Sequence, residues 1–80
     1  MISFVGAGPG DADLITVKGR RLIEEADIVI YAGSLVSHSH LDYCKTECYK
    51  YDSSVMTLEE IIDVMEKGDD EGKRIVRLHT

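Results

Sequence analysis

The sequence predicts an α/β domain, a parallel sheet of about four strands joined by crossover helices. Three observations predict it. Ile28-Val29-Ile30-Tyr31 is apolar, β-branched and unalternating, the pattern of a strand covered on both faces. Leu58, Ile61, Ile62 and Met65 recur at helical spacing, the stripe of a helix with one buried side. Strand-like and helix-like segments alternate along the chain, which implies right-handed crossovers between parallel strands.

Each element has its own signal. Residues 2–5 are a short apolar run that meets Gly6-Ala7-Gly8-Pro9-Gly10 at once, so a buried strand enters a tight turn. A helix is predicted from Thr16, with Val17, Leu22, Ile23 and Ala26 on its apolar side. Gly19 costs that helix about 1 kcal/mol against Ala, and its small size allows close contact with a sheet. The second strand, 28–31, runs into Ala32-Gly33-Ser34. Ser37 is placed to cap a short helical turn through Leu41 to Tyr43. Residues 48–51 alternate weakly and read as a third, edge strand carrying Tyr49 and Tyr51 on one face. Thr57-Leu58-Glu59-Glu60 is a capping box. It opens a helix that ends at Glu71 before Gly72, or earlier at Gly68. Residues 74–78 are the fourth strand, with no helix after it to cover it.

Composition narrows the function. Eighty residues make one small domain at most, with little margin for a deep private active site. Nine basic against fifteen acidic residues leave a net charge of −6, which disfavours nucleic-acid and anionic-membrane surfaces. No run of 18 apolar residues exists, so no membrane span is expected. The first ten residues lack the basic start of a signal peptide, and the expected location is cytoplasmic. Seven of the thirteen residues from 59 to 71 are acidic, the composition of a solvated helix face. Cys44 and Cys48 are spaced C-x3-C behind His38 and His40, unlike the usual C-x2-C zinc knuckle. They read as two packing cysteines beside two surface histidines, with no metal.

The glycine-rich turn carries the functional signal. A dinucleotide fingerprint needs glycine where Asp11 stands, and an acidic residue after the second strand where Ala32-Gly33-Ser34 stands. Pro9 also removes a backbone donor from any phosphate cradle. No P-loop pattern occurs. What the turn supplies is close backbone approach, a fixed φ at Pro9 and a carboxylate at Asp11. That suits a ligand with little or no phosphate, carrying a sulfonium, amines or ring amides. The plainer reading is a tight strand–helix connection with glycines for positive φ.

Val5-Gly6-Ala7-Gly8-Pro9-Gly10-Asp11, then Leu14-Ile15-Thr16-Val17-Lys18-Gly19, then Ala26-Asp27-Ile28-Val29-Ile30-Tyr31 stand at spacings that resemble the amino-terminal half-domain of the tetrapyrrole methylases. The resemblance covers the whole chain. It implies residues 1–80 as the partial N-terminal α/β domain of a two-domain methyltransferase, stopping before the family's Gly-Asp-Pro cofactor loop. It implies S-adenosyl-L-methionine as cofactor, S-adenosyl-L-homocysteine as product, a tetrapyrrole (precorrin) substrate, a C-terminal domain and a homodimer. The stretch Tyr31-Ala32-Gly33-Ser34-Leu35-Val36-Ser37 is similar to members that methylate carbon 11 of precorrin-4 or cobalt-precorrin-4. Ala32 departs from the acidic residue that follows the tyrosine in uroporphyrinogen methylases, and Pro9 departs from the diphthine synthase turn.

By the same resemblance, Pro9 and Thr80 are implied at the cofactor. Gly8, Gly10, Asp11, Ser34 and Leu35 are implied at the substrate, and Asp11 is the candidate catalytic carboxylate. Its plain alternative is a carboxylate favoured by a helix N-terminus. Other expectations stay open beside this one: a precorrin-2, precorrin-3 or uroporphyrinogen III methylase, or a non-catalytic Rossmann-like binding module. Such a module would self-associate through an unprotected final strand.

Overall fold

The computed structural model describes residues 1–6, 16–32 and 38–79, the side chains at 38 and 39 excepted. The elements follow in the order β1 (Ile2–Gly6), α1 (Val17–Glu25), β2 (Ile28–Tyr31), α2 (His38–Leu41), β3 (Tyr49–Asp52), α3 (Leu58–Asp70) and β4 (Ile75–His79), with a 3-10 turn at Ser53–Val55. All four strands are parallel, in the order β1-β4-β2-β3. The α/β expectation holds, element by element.

The local signals work as read. Thr16 caps α1 by accepting from the Gly19 N–H at 3.0 Å. Both bonds of the α3 capping box form: Thr57 Oγ1 accepts from Glu60 N at 3.2 Å, and Glu60 Oε1 accepts from Thr57 N at 2.9 Å. The helix passes through Gly68 and stops before Gly72, whose φ of +74° needs glycine.

The crossover β1–α1–β2 runs along the sheet in one direction, and β3–α3–β4 runs back in the other. One hand of crossover with opposite directions puts the two helices on opposite faces. The core accordingly splits in two. Val5, Val29, Val76 and Leu78 pack with Ile23 and Ala26 of α1 and with Cys48. Ile28, Ile30 and Ile75 pack with Ile61 of α3, flanked by Tyr51, Met56, Val64 and Met65.

Tertiary packing corrects several expectations. The final strand is neither uncovered nor unprotected: β4 lies between β1 and β2, with Ile75, Val76 and Leu78 buried. The first strand is instead an edge, with β3, as expected, the edge on the other side. Only Val5 of β1 is buried, and Phe4 is 70% exposed, because α3 covers the β2 side of its face. Val17 is 71% exposed. The sheet-facing side of α1 is set by Gly19 and Ile23, four residues apart, and Val17 lies on the far side. Leu58 and Ile62 of α3 are exposed as well. Gly68 seats that helix on Ile28 and Ile75, and at 100° per residue Leu58 and Ile62 stand roughly 80° and 120° around from it. Val64 takes their place in the stripe. His40 is not a surface histidine but fully buried, because α2 is seated on the sheet with Leu41 against the α1-side core.

A Cβ at Gly68 would stand 2.9 Å from the Cδ1 atoms of both Ile28 and Ile75. Gly68→Ala gains about 1 kcal/mol of helix propensity but overpacks a buried contact at ~1–3 kcal/mol. A net loss of about 1 kcal/mol is expected in urea unfolding, and a stabilised variant would contradict the tight seat.

Candidate active-site edge

The carboxyl edge of the sheet is where open parallel sheets hold ligands. Gly6 ends β1 in register with His79, which ends β4, and Tyr31 ends β2 in register with Leu78. Three neighbouring strands therefore release the chain at one edge, toward residues 7–15, 33–37 and 80. Ala32 follows Tyr31 and is half-buried. At the end of β3, Asp52 is occupied, accepting from Ser54 N at 2.9 Å and from Ser54 Oγ at 2.6 Å. The strand ends thus present Gly6, Ala32 and His79, with no lysine or arginine among them.

The residues singled out in the sequence, Gly8, Pro9, Gly10, Asp11, Ser34, Leu35 and Thr80, lie outside the described residues. The described structure supplies the strand ends that adjoin them in the sequence. Sequence reading passed over His79. Its signal was available, since an apolar strand ending at a histidine before the expected cofactor loop puts that histidine at the ligand edge.

The amino edge is used differently, for structural staples. The terminal ammonium of Met1 donates to Asp69 Oδ1 at 2.7 Å and to the Lys73 carbonyl at 3.1 Å. Asp27 accepts from Lys45 Nζ at 2.7 Å and from the Arg74 backbone N–H at 2.9 Å, tying β2 to the start of β4. The Lys45 ammonium first, then the Arg74 amide, hold the Asp27 carboxyl below its ordinary 3.8. A groove of about 400 Å³ also lies toward this end, lined by Ile28, Tyr49, Tyr51, Lys67, Gly68 and Lys73 among others. It is remote from the carboxyl edge.

The Asp27 staple makes a pH prediction. A carboxyl lowered on folding stabilises the fold above its unfolded value, and that gain is lost as pH falls toward the folded value. Asp27→Ala is expected to cost about 1 kcal/mol at pH 7, the modest end because both partners are partly in water. The gap to the parent should close below about pH 4. Urea unfolding over a pH series checks this, and a constant gap down to about pH 2 would contradict it.

Comparison with known proteins gives consistent matches. The family model described as tetrapyrrole (corrin/porphyrin) methylases matches residues 1–80. A cobalt-precorrin-4 C(11)-methyltransferase of Methanocaldococcus jannaschii is 58% identical over 79 residues, covering 99% of this chain and 30% of the relative. A precorrin-4 C(11)-methyltransferase of Sinorhizobium is 46% identical, covering 99% of this chain and 31% of the relative. Among solved structures, a cobalt precorrin-4 methyltransferase superimposes with a TM-score of 0.94 at 46% identity, covering 99% of this chain and 33% of that one. A Thermus thermophilus uroporphyrin-III C-methyltransferase complexed with S-adenosyl homocysteine gives 0.71 at 32% identity, covering 96% of this chain and 31% of that one. The chain spans about a third of the length of the relatives it matches.

Proposed function

The chain belongs to the tetrapyrrole (corrin/porphyrin) methylases, and from that membership we propose that it forms the amino-terminal part of an S-adenosylmethionine-dependent enzyme methylating carbon 11 of precorrin-4 or cobalt-precorrin-4. The observation that carries the reading is the 58% identity, over nearly the whole chain, to a relative bearing that activity in its name.

The strand ends fit such a cofactor. Gly6 and Ala32 leave room for backbone approach, and the three strand-end residues include no lysine or arginine to repel a cationic sulfonium. S-adenosylmethionine supplies a methyl group already activated by its positive sulfur. The protein's task is then alignment of two reactants, which can supply several kcal/mol without a strong base. Pro9 and Thr80 face the cofactor in this reading. Gly8, Gly10, Asp11, Ser34 and Leu35 line the substrate side, with Asp11 the one candidate base. The opposite wall comes from a second domain, and the whole enzyme works as a cytoplasmic homodimer.

The test is enzymatic. The full-length protein, given S-adenosylmethionine and precorrin-4 in its cobalt and metal-free forms, should add one methyl group at carbon 11. Carbon-13 labelling of the donor methyl locates it by NMR. Methylation at another carbon, or of neither macrocycle, would overturn the assignment.

A further inference from the structure

Arg77 is a half-buried cation with no carboxylate beside it. Among the described residues, Lys45, Lys73 and Arg77 are the half-buried lysines and arginines. Lys45 has the Asp27 carboxylate at 2.7 Å, and Lys73 has that of Glu71 at 3.1 Å. Arg77 makes no ion pair among the described residues. Its register partners are Phe4 of β1 and Ile30 of β2, so neither neighbouring strand offers it a charge. Two carboxylates at the carboxyl edge are committed to local bonds, Glu60 in its capping box and Asp52 with Ser54.

His79 stands on the same face. Ile75 packs on the α3 side of the sheet, whereas Val76 and Leu78 pack on the α1 side. Alternation along β4 therefore puts Arg77 and His79 together on the α3 side. The imidazole lies over the last residue of β1: a Cβ at Gly6 would meet His79 Cε1 at 3.8 Å. Two residues of strand cover about 6.6 Å, which the stem of an arginine can span while its head stays in water. The guanidinium thus has the reach to act at the edge where His79 is exposed.

We propose that Arg77 and His79 form a carboxylate-binding subsite at the carboxyl edge of the sheet, holding the acidic side chains of the macrocycle. This rests on the function proposed above, whose substrate carries acetate and propionate groups. The planar guanidinium takes a carboxylate through two parallel hydrogen bonds. The imidazole N–H supplies a further donor. A bound carboxylate also neutralises the guanidinium, so the subsite does not work against a cationic sulfonium in the same cleft. Both residues position the substrate and take no part in methyl transfer itself.

Uroporphyrin III, a stable macrocycle with acetate and propionate side chains, is the probe, titrated by fluorescence into the full-length protein. Arg77→Gln is expected to weaken its binding about tenfold, the size of one lost charge-assisted bond. His79→Gln should weaken it less. Arg77→Lys should recover part of the loss, because it restores the charge without the fork. Calorimetric affinity for S-adenosylhomocysteine should be the same in every variant. In turnover, Arg77→Gln should raise the KM for precorrin-4 rather than lower kcat. Unchanged porphyrin affinity in either glutamine variant would overturn the subsite while leaving the proposed function intact. An equal loss of porphyrin and S-adenosylhomocysteine would overturn it too, as the mark of a purely structural role. An unmutated protein that binds no porphyrin and methylates no precorrin overturns both readings. Where Arg77→Gln does not fold, His79→Gln, at an exposed strand end, decides.

Discussion

Alone, the 80-residue chain is expected to bind S-adenosylmethionine at least about 100-fold more weakly than the same chain extended to its relatives' full length, a difference of ~2.7 kcal/mol. The reason is geometric. The chain spans about a third of those relatives, and in the proposed function the cofactor lies between two domains, of which this one is a single wall. Calorimetric titration of both forms measures the ratio. Equal affinities would place the whole cofactor site on this chain and remove the two-wall reading. In the extended protein, Pro9→Ala and Asp11→Asn report on the turn itself. Unchanged binding and turnover in both would sink the residue roles while leaving the family membership intact.

The largest stability effect is expected in the middle of the sheet. Ile30 is fully buried, in register with Tyr51 of β3 and Arg77 of β4, and packs toward α3. Ile30→Ala removes buried methyl groups and leaves a cavity that a sheet cannot close, at a cost of about 2–5 kcal/mol. In a domain of this size that lowers Tm by ~10–20 °C or more. Small domains hold only ~0.05–0.15 kcal/mol per residue in reserve, so the variant should be largely unfolded near 50 °C. Thermal circular dichroism checks it. A shift below a few degrees would show that the α3-side core is loosely packed.

The features legible in the sequence were those written within a few residues. The Thr57–Glu60 capping box, the helix start at Thr16, the glycine stop at Gly72 and the unalternating run 28–31 each depend on neighbours in the chain. All four strands and three helices were found where those signals stood. The glycine turn was legible as a motif, and the family followed from it.

Everything that depended on distant contacts was decided by tertiary structure. The fourth strand was read as exposed and proved central, because α3 carries the chain back across β2 into the gap beside β1. Val17, Leu58 and Ile62 looked like core, yet face water, because Gly19 and Gly68 set the rotation of their helices. His40 looked polar and is buried, because α2 is drawn onto the sheet by Leu41. The meeting of Gly6, Ala32 and His79 at one edge is a matter of strand register, over separations of tens of residues. By itself the sequence determined which segments are helix or strand and the family to which they belong, while the end of α3, at Gly68 or at Glu71, was settled by the fold. Only the folded sheet decided strand order, buried faces and the company each functional residue keeps, since burial is conferred by what packs on a surface.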